Sequence, residues 1–212
     1  MPSFRTVHRV LKRNGAVSVE ASMKSRPFER FEREASNQLW QTDFKGEFVL
    51  DDKSICYPLT MLDDHSRYAL RIEAKTDQRN IITSFTEVFR EYGLPDAILS
   101  DNALCFHGFR NGYSGFERFL MDQDVLPIHG KAYHPQTQGK IERFHRTLKL
   151  ELRLSDAIRD VREANRLFSE WRRFYNEVRP HGALRHRTPA SHYAPSLRPF
   201  KEQVEEFVYP GC

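Results

Sequence analysis

Residues 39–74, LWQTDFKGEFVLDDKSICYPLTMLDDHSRYALRIEA, decide the fold. Apolar and polar residues alternate from Leu39 to Leu50, Asp51–Ser54 make a turn, and two further strand-like runs follow, parted at Asp63–Ser66. Period-2 runs separated by Asp/Ser clusters are the pattern of antiparallel strands joined by short turns. The segment is therefore read as a three-stranded meander.

Working outward, residues 78–93 carry Ile81, Phe85, Val88, Phe89 and Tyr92 on one helical face, and Gly93 supplies a stop. Residues 94–102, LPDAILSDN, hold a short buried strand, followed by a loop over 103–115 with Gly108, Gly112 and Gly115. A helix at 115–124, a strand at 125–133 and long helices at 137–154 and 156–180 complete the pattern. Three meander strands, then helix, strand, helix, strand, helix predict an α/β fold: a mixed five-stranded sheet flanked by helices, with a C-terminal helical extension. In outline this resembles the ribonuclease-H-like fold. Upstream, Ser3–Arg13 has helical spacing at Val7, Val10 and Leu11, and residues 28–34 suggest a short helical piece. The expected divisions are 1–14 helix, 15–36 linker, 37–152 core, 153–200 helical extension and 201–212 tail.

Composition excludes several classes. No run of about 18 apolar residues exists, so no membrane span is expected, and the basic N-terminus lacks the apolar stretch of a secretory signal. Cys56, Cys105 and Cys212 are scattered, which argues against a disulfide framework or zinc finger and for a reducing cytosol. The net charge of +4 is uneven. Residues 1–36 hold eight Lys/Arg against four Asp/Glu, residues 37–128 nine against fifteen, and residues 129–200 fifteen against seven. An acidic middle between basic flanks suits a metal-dependent enzyme acting on a polyanion, and equally a charge distribution without function.

Three acids stand beside unusually apolar sequence: Asp43 within a strand, Asp101 at the end of AILSD, and Glu142 in the first turns of a helix bearing Ile141, Phe144 and Leu148. Each alone reads equally as a turn former or a dipole-satisfying surface acid. Converging, they would form an oxygen-rich site for Mg²⁺ or Mn²⁺, where two ions about 4 Å apart can support phosphoryl transfer. Fifty-seven residues separate Asp43 from Asp101, and forty separate Asp101 from Glu142.

The motifs around these acids are specific as a set. WQTDFKG (40–46), YPLTMLDDHSRYAL (57–70), LPDAILSDN (94–102) and YHPQTQGKIERFHRTLK (133–149), in that order, resemble the core of the DDE transposases of bacterial insertion sequences, relatives of retroviral integrases. FYNEVRPHGALRHRTPASHY (174–193) is similar to that family's closing segment, so the resemblance runs from about Asn37 to about Pro195. It implies that Asp43, Asp101 and Glu142 are the catalytic residues and the ligands of two Mg²⁺ or Mn²⁺ ions. The implied reaction is metal-dependent DNA cleavage and strand transfer at element ends. The implied partners are terminal-repeat and target DNA and further copies of the chain assembled on DNA, in a bacterial cytoplasm near the nucleoid. Ala103 stands where the family usually has Gly. A nuclease without strand transfer, or an inactive DNA-binding remnant that regulates transposition, are the competing readings.

DNA contacts are expected from Lys140, Arg143, Arg146 and Lys149 on the Glu142 helix. Lys149 lies two turns beyond Glu142, about 10 Å along the axis, within reach of neighbouring phosphates. Asn102, His134, Gln138 and Gly139 are expected to shape the site. The first fourteen residues resemble the recognition helix that ends a helix-turn-helix module, and the helices that would precede it are missing from the sequence. The chain is accordingly expected to be a truncated or split reading frame.

Overall fold

The computed structural model describes residues 4–15, 32–108, 112–130, 139–152 and 158–203. The chain divides into a short N-terminal unit, residues 1–31, and a main unit, residues 32–212. The first contains α1 (Phe4–Arg13), on which Val10 and Leu11 are exposed.

Among the described residues the main unit holds six strands: β1 (Trp40–Phe44), β2 (Phe48–Val49), β3 (Ile55–Asp63), β4 (Ala69–Lys75), β5 (Ala97–Ser100) and β6 (Leu126–His129). Its helices are α2 (Ile81–Tyr92), α3 (Gly115–Asp122), α4 (Gly139–Glu151) and α5 (Val161–Glu177), followed by short 3₁₀ turns at Gly182–Leu184 and Pro189–Ser191. β3 pairs antiparallel with β4 on one side and with β1 on the other, and β1, β5 and β6 continue in parallel. This mixed sheet is the ribonuclease-H-like arrangement expected from the order of elements.

The sixth strand corrects the expected count of five, and its origin is visible. The run from Leu39 to Leu50 pairs with β3 in two pieces, Phe44 opposite Leu59 and then Phe48 opposite Cys56. Four residues on one strand are thus spanned by three on the other. One extra residue around Lys45–Glu47 breaks the ladder as a bulge does and splits the predicted strand into β1 and β2.

Alternation along the strands builds two cores. On one face Trp40, Leu59, Met61, Leu70 and Ile98 meet Ile81, Phe85, Val88 and Phe89 of α2 and Phe116 and Leu120 of α3. On the other, Cys56, Leu62, Ala69, Ile72 and Ala74 meet Phe144 and Leu148 of α4 and Phe168, Trp171 and Tyr175 of α5. The register between β3 and β4 shifts between Met61 and Leu62, which sends Leu70 to the first face while Ala69 and Ile72 serve the second. Each fully buried large side chain contributes about 1.5–3 kcal/mol from the water it leaves.

Helix ends depart from the predicted limits. The final helix starts at Val161, where the Asp160 carboxylate caps the Glu163 amide. α3 carries a full capping box between Ser114 and Glu117. Most of the helical piece expected at 28–34 lies outside the described residues. No described helix is long and apolar enough to cross a membrane.

Candidate active site

The expected acids come from neighbouring elements. β1 and β5 run parallel with Trp40 beside Ile98 and Gln41 beside Leu99. The same offset carried two residues further brings Asp101 level with Asp43. Strand alternation then turns both toward the face on which Phe144 and Leu148 of α4 pack. Glu142 lies in the first turn of α4, which is seated by buried Ile141, Phe144 and Leu148.

Electrostatics join the three. Burial pushes the Asp43 carboxyl up to about 7, and the charges of Asp101 and Glu142 add to the rise against a hydrogen bond from the Phe44 backbone. Asp101 is oriented locally, its Oδ1 accepting the Ala103 amide at 3.0 Å. Ala103 is not among the positive-φ residues, so this turn is made without the backbone freedom of glycine.

His145 was not among the expected site residues, yet it sits against this cluster. Its Nδ1 lies 3.8 Å from Asp43 Oδ2 and its Nε2 lies 2.7 Å from Thr60 Oγ1. The Thr60 hydroxyl reaches the Asp43 carbonyl at 2.9 Å. Burial, with the charge of Lys45, lowers the His145 pKa to about 3, so the imidazole is neutral and does not balance Asp43. The sequence signal was its place three residues after Glu142, on the same helical face.

The basic residues sort into two groups. Arg143, Arg146 and Lys149 are exposed. Half-buried Lys45, two residues beyond Asp43, lies near Lys149, and burial together with the charge of Lys149 lowers its pKa. Lys140 instead turns inward, its Nζ 2.6 Å from Oδ2 and 3.2 Å from the carbonyl of fully buried Asp64. Asp64 also accepts Gln41 Nε2 at 2.7 Å and the Arg33 amide at 3.0 Å. Lys140 thus fastens the start of α4 to the β3–β4 turn. Farther along, Arg172 donates to the Leu70 carbonyl and the Tyr92 hydroxyl, and Arg179 pairs with Glu151.

Of the expected site-shaping residues, exposed Asn102 donates to the Gly130 carbonyl at 3.1 Å, and Gly139 opens α4. His134 and Gln138 lie outside the described residues.

Asp43, Asp101 and Glu142 offer carboxylate oxygens, which suit a hard divalent cation such as Mg²⁺ or Mn²⁺, with the neutral His145 imidazole beside Asp43. Like-charge repulsion at Asp43 is the condition such a cation relieves.

Comparison with known proteins agrees with this architecture. Two family models, both described as integrase core domain, match residues 33–135 and 123–189. An uncharacterized protein of insertion element IS136 from Agrobacterium fabrum is 31% identical over 119 residues, 54% of this chain and 57% of that protein. The chain thus spans just over half the length of this curated relative. Among solved structures, the chain is similar to one of the simian T-cell lymphotropic virus intasome in complex with PP2A regulatory subunit B56 gamma. The TM-score is 0.65 at 19% identity, over 92% of this chain and 73% of that one. It is also similar to the HTLV-2 integrase catalytic core domain in complex with magnesium, with a TM-score of 0.58 at 17% identity, over 76% and 99% of the two chains. Carrying the motifs of insertion-sequence transposases on this sheet, the chain belongs to the integrase core domain family.

Proposed function

We propose that this chain cleaves DNA at the ends of an insertion element and joins the freed 3′-hydroxyl to a target phosphodiester, with Asp43, Asp101 and Glu142 as catalytic residues. The observation that carries the reading is the meeting of three carboxyls: the parallel register of β1 and β5 brings Asp101 level with Asp43, and Glu142 in the first turn of α4 is near enough that its charge, with that of Asp101, adds to burial in raising the Asp43 pKa. An acid kept at that cost beside two others is expected where a cation is to be held. Divalent cations bound there would supply charge stabilisation and lower the pKa of an attacking water or hydroxyl.

The chain's own groups do the positioning. Asp101 is aimed by the Ala103 amide, and Asp43 is backed by Thr60 and neutral His145, which adds no positive charge to compete for the carboxylates. Exposed Arg143, Arg146 and Lys149, with Lys45 beside them, offer a basic surface next to the acids for the DNA backbone. Lys140 acts through the helix: its pair with Asp64 holds the turn that carries Glu142.

The test is nicking and strand transfer of labelled terminal-repeat DNA in Mn²⁺. Both products are expected from the wild-type chain and neither from Asp101→Asn. Hydrolysis without joined product would indicate a nuclease, and metal-independent DNA binding without cutting would indicate a regulatory remnant. Either result overturns the proposal.

A further inference from the structure

A second group of metal-ligating side chains lies behind Asp101, built from three separate elements. His107 is in the loop after β5, Glu117 in the first turn of α3, and His129 at the end of β6; one donor atom from each lies within 4.8 Å of the others. Glu117 is the hub. Its Oε1 is 2.8 Å from His129 Nε2 and 3.2 Å from His107 Nδ1. Its Oε2 accepts the backbone amides of Gly108 at 2.8 Å and Ser114 at 2.6 Å.

We propose that His107 Nδ1, Glu117 Oε1 and His129 Nε2 form a binding site for a borderline divalent transition ion, zinc above all, distinct from the carboxylate site. Three observations carry this. Zinc bonds of about 2.0–2.1 Å in tetrahedral geometry place neighbouring donors ~3.3 Å apart, and the two His–Glu separations already lie close to that spacing. The donors are also held from behind, as metal ligands usually are. Two amides fix Glu117 Oε2, and Ser100 Oγ stands 3.2 Å from His129 Nδ1, the nitrogen turned away from the cluster. Finally, the His107 side chain is 45% exposed, which leaves one side open to water as a fourth ligand.

Donor chemistry separates the two sites. Three carboxylates favour Mg²⁺ or Mn²⁺, whereas two imidazoles with one carboxylate favour zinc or cobalt. An ion held here ties the loop after Asp101 to both α3 and β6, and Ser100 links it to the residue preceding Asp101. It acts as a staple on the segment that presents the second aspartate.

The experiment titrates Zn²⁺ against a chromophoric chelator, using metal-stripped Asp43→Asn/Asp101→Asn chain so that the carboxylate pair does not take up the ion. One equivalent per chain is expected, with a Kd on the order of 0.1 μM or tighter. Loss of an outer-shell partner typically weakens a site about 10–100-fold, so His107→Ala should weaken it at least ~100-fold. Co²⁺ in place of zinc should give visible absorption bands that this variant loses. His107 is exposed and Glu117 keeps its amide donors, so the fold should survive the change; His129→Asn provides a second reading with the same expected loss. Absence of zinc binding, or binding unchanged in both variants, would mean a hydrogen-bonded triad only and would overturn the proposal. Because these ligands lie outside the carboxylate site, either result leaves the proposed DNA chemistry standing.

Discussion

Asp43 and Glu117 are two shielded carboxyls in one sheet-and-helix unit, and their environments drive them in opposite directions. Burial raises Asp43 to about 7, with Asp101 and Glu142 pressing the same way. Burial would also raise Glu117, but the Ser114 and Gly108 amides and the His129 and His107 imidazoles outweigh it and bring the carboxyl down to about 2. Partners decide the sign. In the metal-free cluster, hydrogen bonds outweigh the burial of Glu117, whereas at Asp43 burial and the like charges of Asp101 and Glu142 act in the same direction. The first stabilises the fold, and the second stores repulsion that a cation can use.

The largest test of this contrast is Asp101→Asn. Strand transfer should drop by at least ~10³-fold, while the metal-free protein should melt no lower than the wild type, because the change removes a like charge. A clear fall in melting temperature would mean that Asp101 is a structural acid. Glu117→Ala should behave in the opposite way, costing about 3 kcal/mol in denaturant unfolding because two amides and two imidazoles lose a buried acceptor.

Acidity separates the clusters further. With divalent ions chelated, folded Asp43 keeps its proton up to about pH 7, while the unfolded chain releases it near the ordinary 3.8. Its contribution to stability is therefore full below about pH 4 and declines as pH rises to 7. Glu117 has the reverse sign: its contribution is present above the ordinary 4.5 and is lost as pH falls toward 2. Melting temperature should fall by a few degrees between pH 5 and 8, and Asp43→Asn should flatten that decline. Added Mg²⁺ should stabilise the wild type more at pH 8 than at pH 5.

The smallest effect sorts the basic residues. Lys149→Ala should reduce the slope of DNA affinity against salt by about 1. Lys140→Ala should leave that slope unchanged and instead cost about 2 kcal/mol of stability, because buried Asp64 loses its paired ammonium and, among the described residues, keeps only the Gln41 and Arg33 hydrogen bonds. Equal slope changes in the two variants would show that the inward pairing of Lys140 does not hold in solution.

The fold was largely legible because its elements are amphipathic on their own. The face of Ile81, Phe85, Val88, Phe89 and Tyr92, and the meander of residues 39–74, need no distant contact to be recognised. The break at Lys45–Glu47 was hidden because alternation resumes after it, and only pairing with β3 exposes the extra residue. The start of α5 carries a local signal, Asp160 three residues before Glu163. The three acids were visible through their flanking motifs. His145 and the inward turn of Lys140 were not, because they depend on how α4 lies against β1 and the β3–β4 turn. Nor could the sequence join His107, Glu117 and His129, which meet only after β5, α3 and β6 have assembled.

The parallel register of β1 and β5 has a consequence for how such a chain tolerates change. Asp43 and Asp101 follow directly on the paired stretch of β1 and β5, so the connecting loops within the fifty-seven residues between them can change length without separating the pair. Glu142 has no ladder. Its place is set by the packing of Ile141, Phe144 and Leu148 and by the pair between Lys140 and Asp64. The aspartates behave as a fixed jaw of a vice, and the glutamate as the adjustable one.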